Sequence, residues 1–141
     1  MQVYSCLDER RPSLAFNGLS GSSWFQIYTL LASEEEGNAV LLRACYEGFA
    51  VATCLWGVRF GDHMELVLIS REDMTKEAVY NPVHHHVTEM TRNASAYAEK
   101  LGVVGFTMRS STRQLDFFAK RFPEWDSAMI DGVVFATLKV N

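Results

Sequence analysis

Three consecutive histidines form the densest group of chemically versatile side chains in the sequence. His84, His85 and His86 follow Asn81 and Pro82, a pair that is typical of a helix start. We therefore place them in the first turn of a helix, where free backbone N–H groups and the helix dipole favour an anion. Protonated imidazoles add positive charge near neutral pH. The alternative is a solvated histidine run without a ligand.

A metal site is the second chemistry that this run suggests. His85 and Glu89 are four residues apart and so share a helix face, and His63 lies on the preceding predicted strand. Zinc needs three or four convergent ligands. The sequence supplies no further His or Cys at a suitable spacing, so we predict no metal site.

Composition limits the classes of function. The 141 residues are 48% hydrophobic and 21% charged, which is typical of one folded domain, here residues 1–141. The net charge of −4 argues against nucleic acid as the main partner. We find no transmembrane-length apolar run and no signal-peptide pattern near the N-terminus, so we expect a cytoplasmic protein. The three cysteines fit no disulfide framework, and we expect Cys45 and Cys54 to be buried thiols.

The first half of the chain reads as a strand, a helix and a three-stranded meander. Met1–Leu7 is the first strand, and a helix follows from Ser22 or Ser23 to the breaker Gly37. We expect its aromatic residues Trp24, Phe25 and Tyr28 to pack it against the sheet; the alternative is that some of the chain's aromatics are exposed and form a partner surface. The next strands are predicted at residues 39–46, 49–58 and 63–70, with Glu47 and Gly48 as the loop of the first hairpin.

The second half combines a crossover with a terminal hairpin. A helix is predicted from Asn81 to Leu101, then a short buried strand from Val103 to Met108 and a second helix from Ser111 to Phe122. Residues 127–140 form a hairpin about an Asp-Gly turn. This order predicts an α+β fold, with a mixed sheet, helices on both of its faces and a terminal β-hairpin.

That order of elements, over nearly the whole chain, resembles the GNAT acyltransferases. In that family the fourth strand and the helix after it bind acetyl-CoA. The strand HMELVLIS and the helix that begins at Asn81 correspond to these elements, and VVGFTMRSS corresponds to the fifth strand. The hairpin at Tyr46–Ala52 is also loosely similar to one in small GNAT-like internal virion and assembly proteins of short-tailed bacteriophages.

The resemblance implies a cofactor, which is acetyl-CoA or another acyl-CoA, and a set of residues around it. Its predicted contacts are Leu68, Ile69, Val83, His84, His85, Ser111 and Phe118. Many GNAT enzymes use a carboxylate on the fourth strand as the base that deprotonates the substrate amine, and Glu65 is the only carboxylate in HMELVLIS. Glu65 is therefore the predicted catalytic residue. The alternative is an outward-facing charge on the meander, since strand faces alternate.

Three departures from the family pattern weigh on catalysis. The family's pyrophosphate loop contains glycines that let backbone N–H groups approach the phosphates, and this sequence has none between Gly61 and Gly102. Phe117 and Phe118 occupy the region where many members have an acidic tyrosine, and phenylalanine donates no proton. Phe122 and Pro123 replace a Gly-Phe pair.

Two functions follow from the resemblance and its departures. The first is a divergent acyl-CoA-dependent N-acyltransferase that transfers acetyl to an amine acceptor, whether or not a phage encodes it. The second is a catalytically inactive binding protein that acts in phage assembly, or binds and inhibits a host protein. The partner is then a host or virion protein, in the host cytoplasm or the virion. The sequence leaves the acceptor and the oligomeric state open.

Overall fold

The computed structural model describes residues 2–8, 10–16, 19, 21–71, 76–110 and 120–140, and their side chains except those of Ser22, Ser110 and residues 76–83. In chain order the described elements are β1 (Gln2–Ser5), α1 (Gly21–Glu35), β2 (Ala39–Glu47), β3 (Ala50–Phe60), β4 (His63–Ser70), α2 (Lys76–Arg92), α3 (Ala94–Leu101), β5 (Gly105–Ser110), β6 (Asp126–Ile130) and β7 (Val133–Lys139). The predicted helix between β5 and β6 lies mostly outside the described residues.

The strands form the mixed sheet that the sequence predicts. Hydrogen-bonded neighbours follow the order β1-β2-β3-β4-β5-β7-β6, with β4 and β5 parallel. By its internal contacts the chain divides into two compact units, Met1–Val58 with Val67–Val87, and Arg59–Leu66 with Thr88–Asn141. A single domain over residues 1–141 stays a prediction.

In the first unit, α1 packs on β2 through a single apolar face. Ile27 and Leu30 are buried, whereas Phe25 and Tyr28 are 76% and 75% exposed and Trp24 is 43% exposed. The expectation that these aromatics pack the helix on the sheet is therefore wrong for Phe25 and Tyr28, whereas the Trp24 ring lies edge-on to the buried Phe16, with 6.3 Å between the ring centroids. The reason is the helical period, because Ile27 and Leu30 set the buried face and Phe25 and Tyr28 point away from it. The core beneath α1 includes Tyr4, Phe16, Leu41, Ala44, Tyr46, Cys54, Trp56 and Ile69.

The β2–β3 hairpin shows why helices lie on both faces of this unit. Its loop is Gly48–Phe49, one residue later than predicted, because Gly48 takes the left-handed conformation (φ +64°). Ala44 pairs with Cys54 in the core under α1, and the next pair, Cys45 and Thr53, faces the opposite side. On that side Thr53 contacts a residue of α2. Cys45 and Cys54 are buried, free thiols, as predicted.

The long helix after β4 begins earlier than predicted and is broken. It starts at Lys76 rather than at Asn81 or Pro82, since Lys76, Glu77 and Ala78 are themselves helix-forming residues. The proline therefore lies inside α2, where it lacks the N–H that would bond to the fourth residue before it. The break falls at Asn93, whose side-chain amide donates to the Glu89 carbonyl and carboxylate.

The second unit contains the parallel pair and the terminal hairpin. β5 pairs with β7, and β7 with β6 around a turn at Asp131 and Gly132, whose φ values of 51° and 76° suit a tight hairpin. Its core includes the fully buried Met90, Tyr97, Phe106 and Val134. In the described part of the chain, no helix is long and apolar enough to cross a bilayer.

Candidate functional site

β4 is the strand from which the predicted site is built. Its ladder with β5 pairs His63–Leu66 with Gly105–Met108, while β4 itself continues to Ser70. The predicted cofactor residues Leu68 and Ile69 lie in this continuation. Ile69 is buried in the core around α1 and Leu68 is half-buried. The Ile69 side chain is therefore not available to a ligand, and a contact of Ile69 with the cofactor stays a prediction.

The start of α2 is the other predicted part of the site, and it lies earlier in the chain than predicted. Its first turn is Lys76–Val79, so these residues carry the N–H groups without an acceptor inside the helix. Val83, His84 and His85 lie farther along, where each N–H bonds back to the carbonyl four residues earlier. The prediction that the histidine run forms the first turn of the helix is therefore wrong. Contacts through the His84 and His85 side chains stay predictions, and the Val83 side chain lies outside the described set.

The three histidines have different environments. His85 is exposed, His84 is half-buried, and His86 is completely buried. The interpretation of the whole run as solvated is therefore wrong for His86. The difference follows from the helical period: His86 lies four residues before the fully buried Met90, so the two residues share a face of α2.

His86 belongs to a group that we call the polar core cluster, formed by the buried Arg43, Thr53 and His86 and the exposed His85. The Arg43 Nε donates to His86 Nδ1 at 3.4 Å, and its Nη2 donates to His85 Nδ1 at 3.0 Å. His86 Nε2 lies 3.1 Å from the Thr53 hydroxyl. Because a guanidinium only donates, His86 accepts through Nδ1 and carries its proton on Nε2, which donates to Thr53.

Burial sets the protonation states of His86 and of the buried thiols Cys45 and Cys54. Loss of solvent, and then the charges of Arg43 and His85, lower the pKa of His86 from 6.5 to about 3, so His86 is neutral at physiological pH. Burial also raises the pKa of Cys45, and it raises that of Cys54 to about 12. These thiols are protonated near pH 7 and are poor nucleophiles.

Sequence reasoning missed the polar core cluster as a unit. One signal was present, because Arg43 is the only charged residue in the apolar run AVLLRACY. A second was the spacing of His86 and Met90 on one helix face. The pairing of Arg43 with His86 joins residues 43 positions apart in the chain, and no local pattern encodes such a pairing.

Glu65, the predicted base, lies in the second unit as half of an ion pair. Its Oε1 is 2.8 Å from the Nε of Arg109, and the two side chains are 27% and 62% exposed. The Arg109 guanidinium lies 5.7 Å from the ring centroid of Phe135, in cation–π contact. The pair holds the carboxylate in one orientation and leaves part of it open to solvent.

Some of the remaining groups are engaged elsewhere or lie outside the described residues. Arg71, which follows β4, binds the Glu47 carboxylate at 3.1 Å, and the Tyr97 side chain of α3 is fully buried. Ser111 and Phe118 lie outside the described residues. Where side chains are described, no group of three His, Cys, Asp or Glu residues is placed to hold a metal ion.

Comparisons with known proteins give similarity in fold and not in sequence. No protein-family model and no curated protein matches the chain. Among solved structures, the N-acetyltransferase PaiA from Thermoplasma acidophilum, in complex with coenzyme A, is similar with a TM-score of 0.55 and 8% identity, over 82% of this chain and 70% of that one.

Two further structures are similar over most of their length. The Campylobacter jejuni N-acetyltransferase PseH, in complex with acetyl coenzyme A, has a TM-score of 0.55 and 10% identity, over 85% of this chain and 81% of its own. The GNAT domain of S. lividans PAT has a TM-score of 0.53 and 15% identity, over 87% and 80%. Together with the strand order, these likenesses identify the fold: the chain has the GNAT acetyltransferase fold in a divergent form.

Proposed function

We propose that this protein is an acyl-CoA-dependent N-acyltransferase that transfers an acetyl group from acetyl-CoA to an amine. The observation that carries the proposal is the fold, which is shared with acetyltransferases crystallised with coenzyme A or acetyl-CoA. The described part of β4 supports it, because the strand runs on to Ser70 beyond the last residue paired with β5. Backbone groups of this extension suit the amides of a pantetheine chain.

The cofactor contacts divide between β4 and α2. In the proposal, the backbone of Leu68, beside Ile69, holds the pantetheine, and the first turn of α2 at Lys76 faces the pyrophosphate, since a helix start favours anions. The exposed ring of His85 adds a side-chain contact to the phosphates. Val83, His84, Ser111 and Phe118 remain further predicted contacts.

Glu65 is the proposed base. A substrate amine is protonated near pH 7 and has no free electron pair, so a proton must first pass to Glu65, directly or through a water molecule. The amine then attacks the thioester carbon; the new C–N bond forms, the C–S bond breaks, and the proton that the nitrogen gives up passes to the departing CoA sulfur. The departing CoA sulfur has the modest basicity of a thiol, with a pKa of about 8.5, so it leaves without the tyrosine acid that this sequence lacks.

The test is calorimetric titration with acetyl-CoA, with acetyl-pantetheine as the truncated ligand that lacks the pyrophosphate. We expect micromolar binding of acetyl-CoA and at least tenfold weaker binding of acetyl-pantetheine. A tenfold difference corresponds to about 1.4 kcal/mol of binding free energy. Lys76→Glu should weaken acetyl-CoA binding and leave acetyl-pantetheine unaffected. The matched control is Lys100→Glu, at an exposed position in the last turn of α3. No heat and no thermal shift at millimolar acetyl-CoA would reject the proposal.

A second candidate is a binding protein of the same fold without turnover. The observation that favours it is the Arg109 guanidinium on Glu65, which occupies one oxygen of the proposed base. If acetyl-CoA binds but no primary amine accelerates thiol release, this candidate replaces the first.

A further inference from the structure

Helix α1 presents an apolar surface to solvent. Phe25 and Tyr28 are 76% and 75% exposed, and Trp24 is 43% exposed. With three small or polar neighbours these aromatics line a shallow groove of about 580 Å³, and we call the whole set the α1 surface: Gly21, Trp24, Phe25, Tyr28, Thr29 and Ala32. Exposed apolar patches of this kind mark interaction sites more often than single exposed side chains do.

The spacing along the α1 surface is that of a helix–helix seam. Gly21, Phe25, Tyr28 and Ala32 follow one another at intervals of four, three and four residues, the alternation that keeps one stripe facing a partner helix. The stripe carries no charge. Its order, small, aromatic, aromatic, small, reads the same in both directions.

We propose that α1 packs antiparallel against α1 of a second copy of this chain, across a two-fold axis. Phe25 of one copy then faces Tyr28 of the other, Gly21 faces Ala32, and Trp24 faces Thr29. Each of the six groove residues meets another member of the same set. Such a self-complementary patch is what a two-fold interface requires.

The charges at the end of α1 select the antiparallel orientation. Glu35 and Glu36 are exposed at the C-terminal end of the helix, where its own dipole disfavours them, and no base lies in its last turn. Glu34 is already bound by Arg11 at 2.7 Å. An antiparallel partner brings the N-terminus of its own α1, which has no acid in its first turn, close to Glu35 and Glu36. A parallel partner would instead place the glutamates of both copies together.

The area also suits a second copy. A standard interface buries roughly 800 Å² on each partner, and a buried aromatic side chain contributes roughly 150–250 Å². Once the fractions that are already buried are subtracted, Trp24, Phe25 and Tyr28 supply roughly half of one partner's share. The interaction is independent of any bound cofactor, so its failure would leave the proposed acyltransferase function untouched.

The first experiment is sedimentation equilibrium of the full chain. We expect a monomer–dimer equilibrium in which Phe25→Ser or Tyr28→Ser raises the dissociation constant by about thirtyfold or more, as for central aromatic anchors. The matched control is Phe49→Ser, because Phe49 is 94% exposed in the β2–β3 loop and should have no effect. Unchanged thermal unfolding of each variant shows that the fold is intact.

Crosslinking tests the orientation. Gly21→Cys and Ala32→Cys are exposed substitutions, a Cβ at Gly21 meets nothing within 4 Å, and the three native cysteines are buried. A short bis-maleimide should link the two variants when they are mixed and link neither variant to itself. A wild-type monomer at every concentration, a dimer that survives both serine substitutions, or self-linking of Gly21→Cys would each overturn the proposal.

Discussion

Two arginines of this protein, Arg43 and Arg109, bind their partners in contrasting environments. Arg43 of the polar core cluster is 5% exposed, and it donates to ring nitrogens of His85 and His86. The side chain of Arg109 is 62% exposed, and it binds the Glu65 carboxylate. In the first arrangement the arginine is buried and its acceptors are imidazole nitrogens, whereas the second arrangement is a surface ion pair.

The difference determines what each group can do. In the interior, a hydrogen bond is strong and an unsatisfied polar group is costly, so the polar core cluster fixes the packing of α2 on β2 and β3. At the surface, water and salt screen the Glu65–Arg109 pair, so it contributes little to stability. A carboxylate that exchanges partners at low cost is the one suited to proton transfer.

Breaking the buried arrangement should have the largest effect. Arg43→Met removes the donor to two histidine rings, and we expect it to lower the free energy of unfolding by about 3 kcal/mol, measured by urea denaturation. The surface control Arg109→Met should lose less than about 1 kcal/mol. The double variant Arg43→Met with His86→Leu should recover part of the loss, because the two apolar side chains have no buried donor or acceptor that lacks a partner. Equal losses at the two arginines would contradict the comparison.

The Glu65–Arg109 pair should matter for activity more than for stability. Glu65→Gln removes the proposed base without changing the size of the side chain, and we expect acyl transfer to fall by roughly 10²-fold. The measurement is thiol release from acetyl-CoA in the presence of primary amines, with acetyl-CoA affinity measured in parallel. Glu47→Gln, at another surface carboxylate held by an arginine, is the control. Unchanged turnover in Glu65→Gln would remove Glu65 from the mechanism.

The fold was largely predictable because its elements carry local signals. HMELVLIS is a strand with the predicted bounds, and Asp131-Gly132 forms the predicted turn. The error at the start of α2 has a local cause as well. Asn81-Pro82 has the form of a helix start, and three helix-forming residues upstream outweighed it.

The site was less predictable because its geometry depends on distant parts of the chain. Glu65 was found from its strand, but its pairing with Arg109 depends on the register of β4 and β5. The same holds for His86, whose neutral state follows from burial against Arg43. In α1, the spacing of apolar residues predicted the helix correctly. It did not show which of those apolar residues face solvent, because that depends on which side of the helix packs on the sheet.

Acid should weaken the polar core cluster selectively. Arg43, Thr53 and His85 surround His86, whose pKa falls from 6.5 to about 3 on folding. The unfolded chain therefore binds a proton below pH 6.5 that the folded chain refuses, and stability is lost as pH falls from there toward 3. Between pH 7 and 5 we expect His86 to account for a loss on the order of 2 kcal/mol. The measurement is the unfolding midpoint against pH, in which His86→Gln should flatten the slope.

Raising the salt concentration should have the smallest effect on stability, and it should act on the contribution of Arg109. The Glu65–Arg109 pair is exposed, so its contribution of about 0.5 kcal/mol should fade when ionic strength rises from about 0.05 M to 1 M, where the screening length drops to about 3 Å. The difference in urea midpoint between wild type and Arg109→Met should shrink accordingly. The difference for Arg43→Met should persist, because salt does not enter the interior. A salt-independent Arg109 difference would mean that its contact with the Phe135 ring, rather than the ion pair, is the stabilising part.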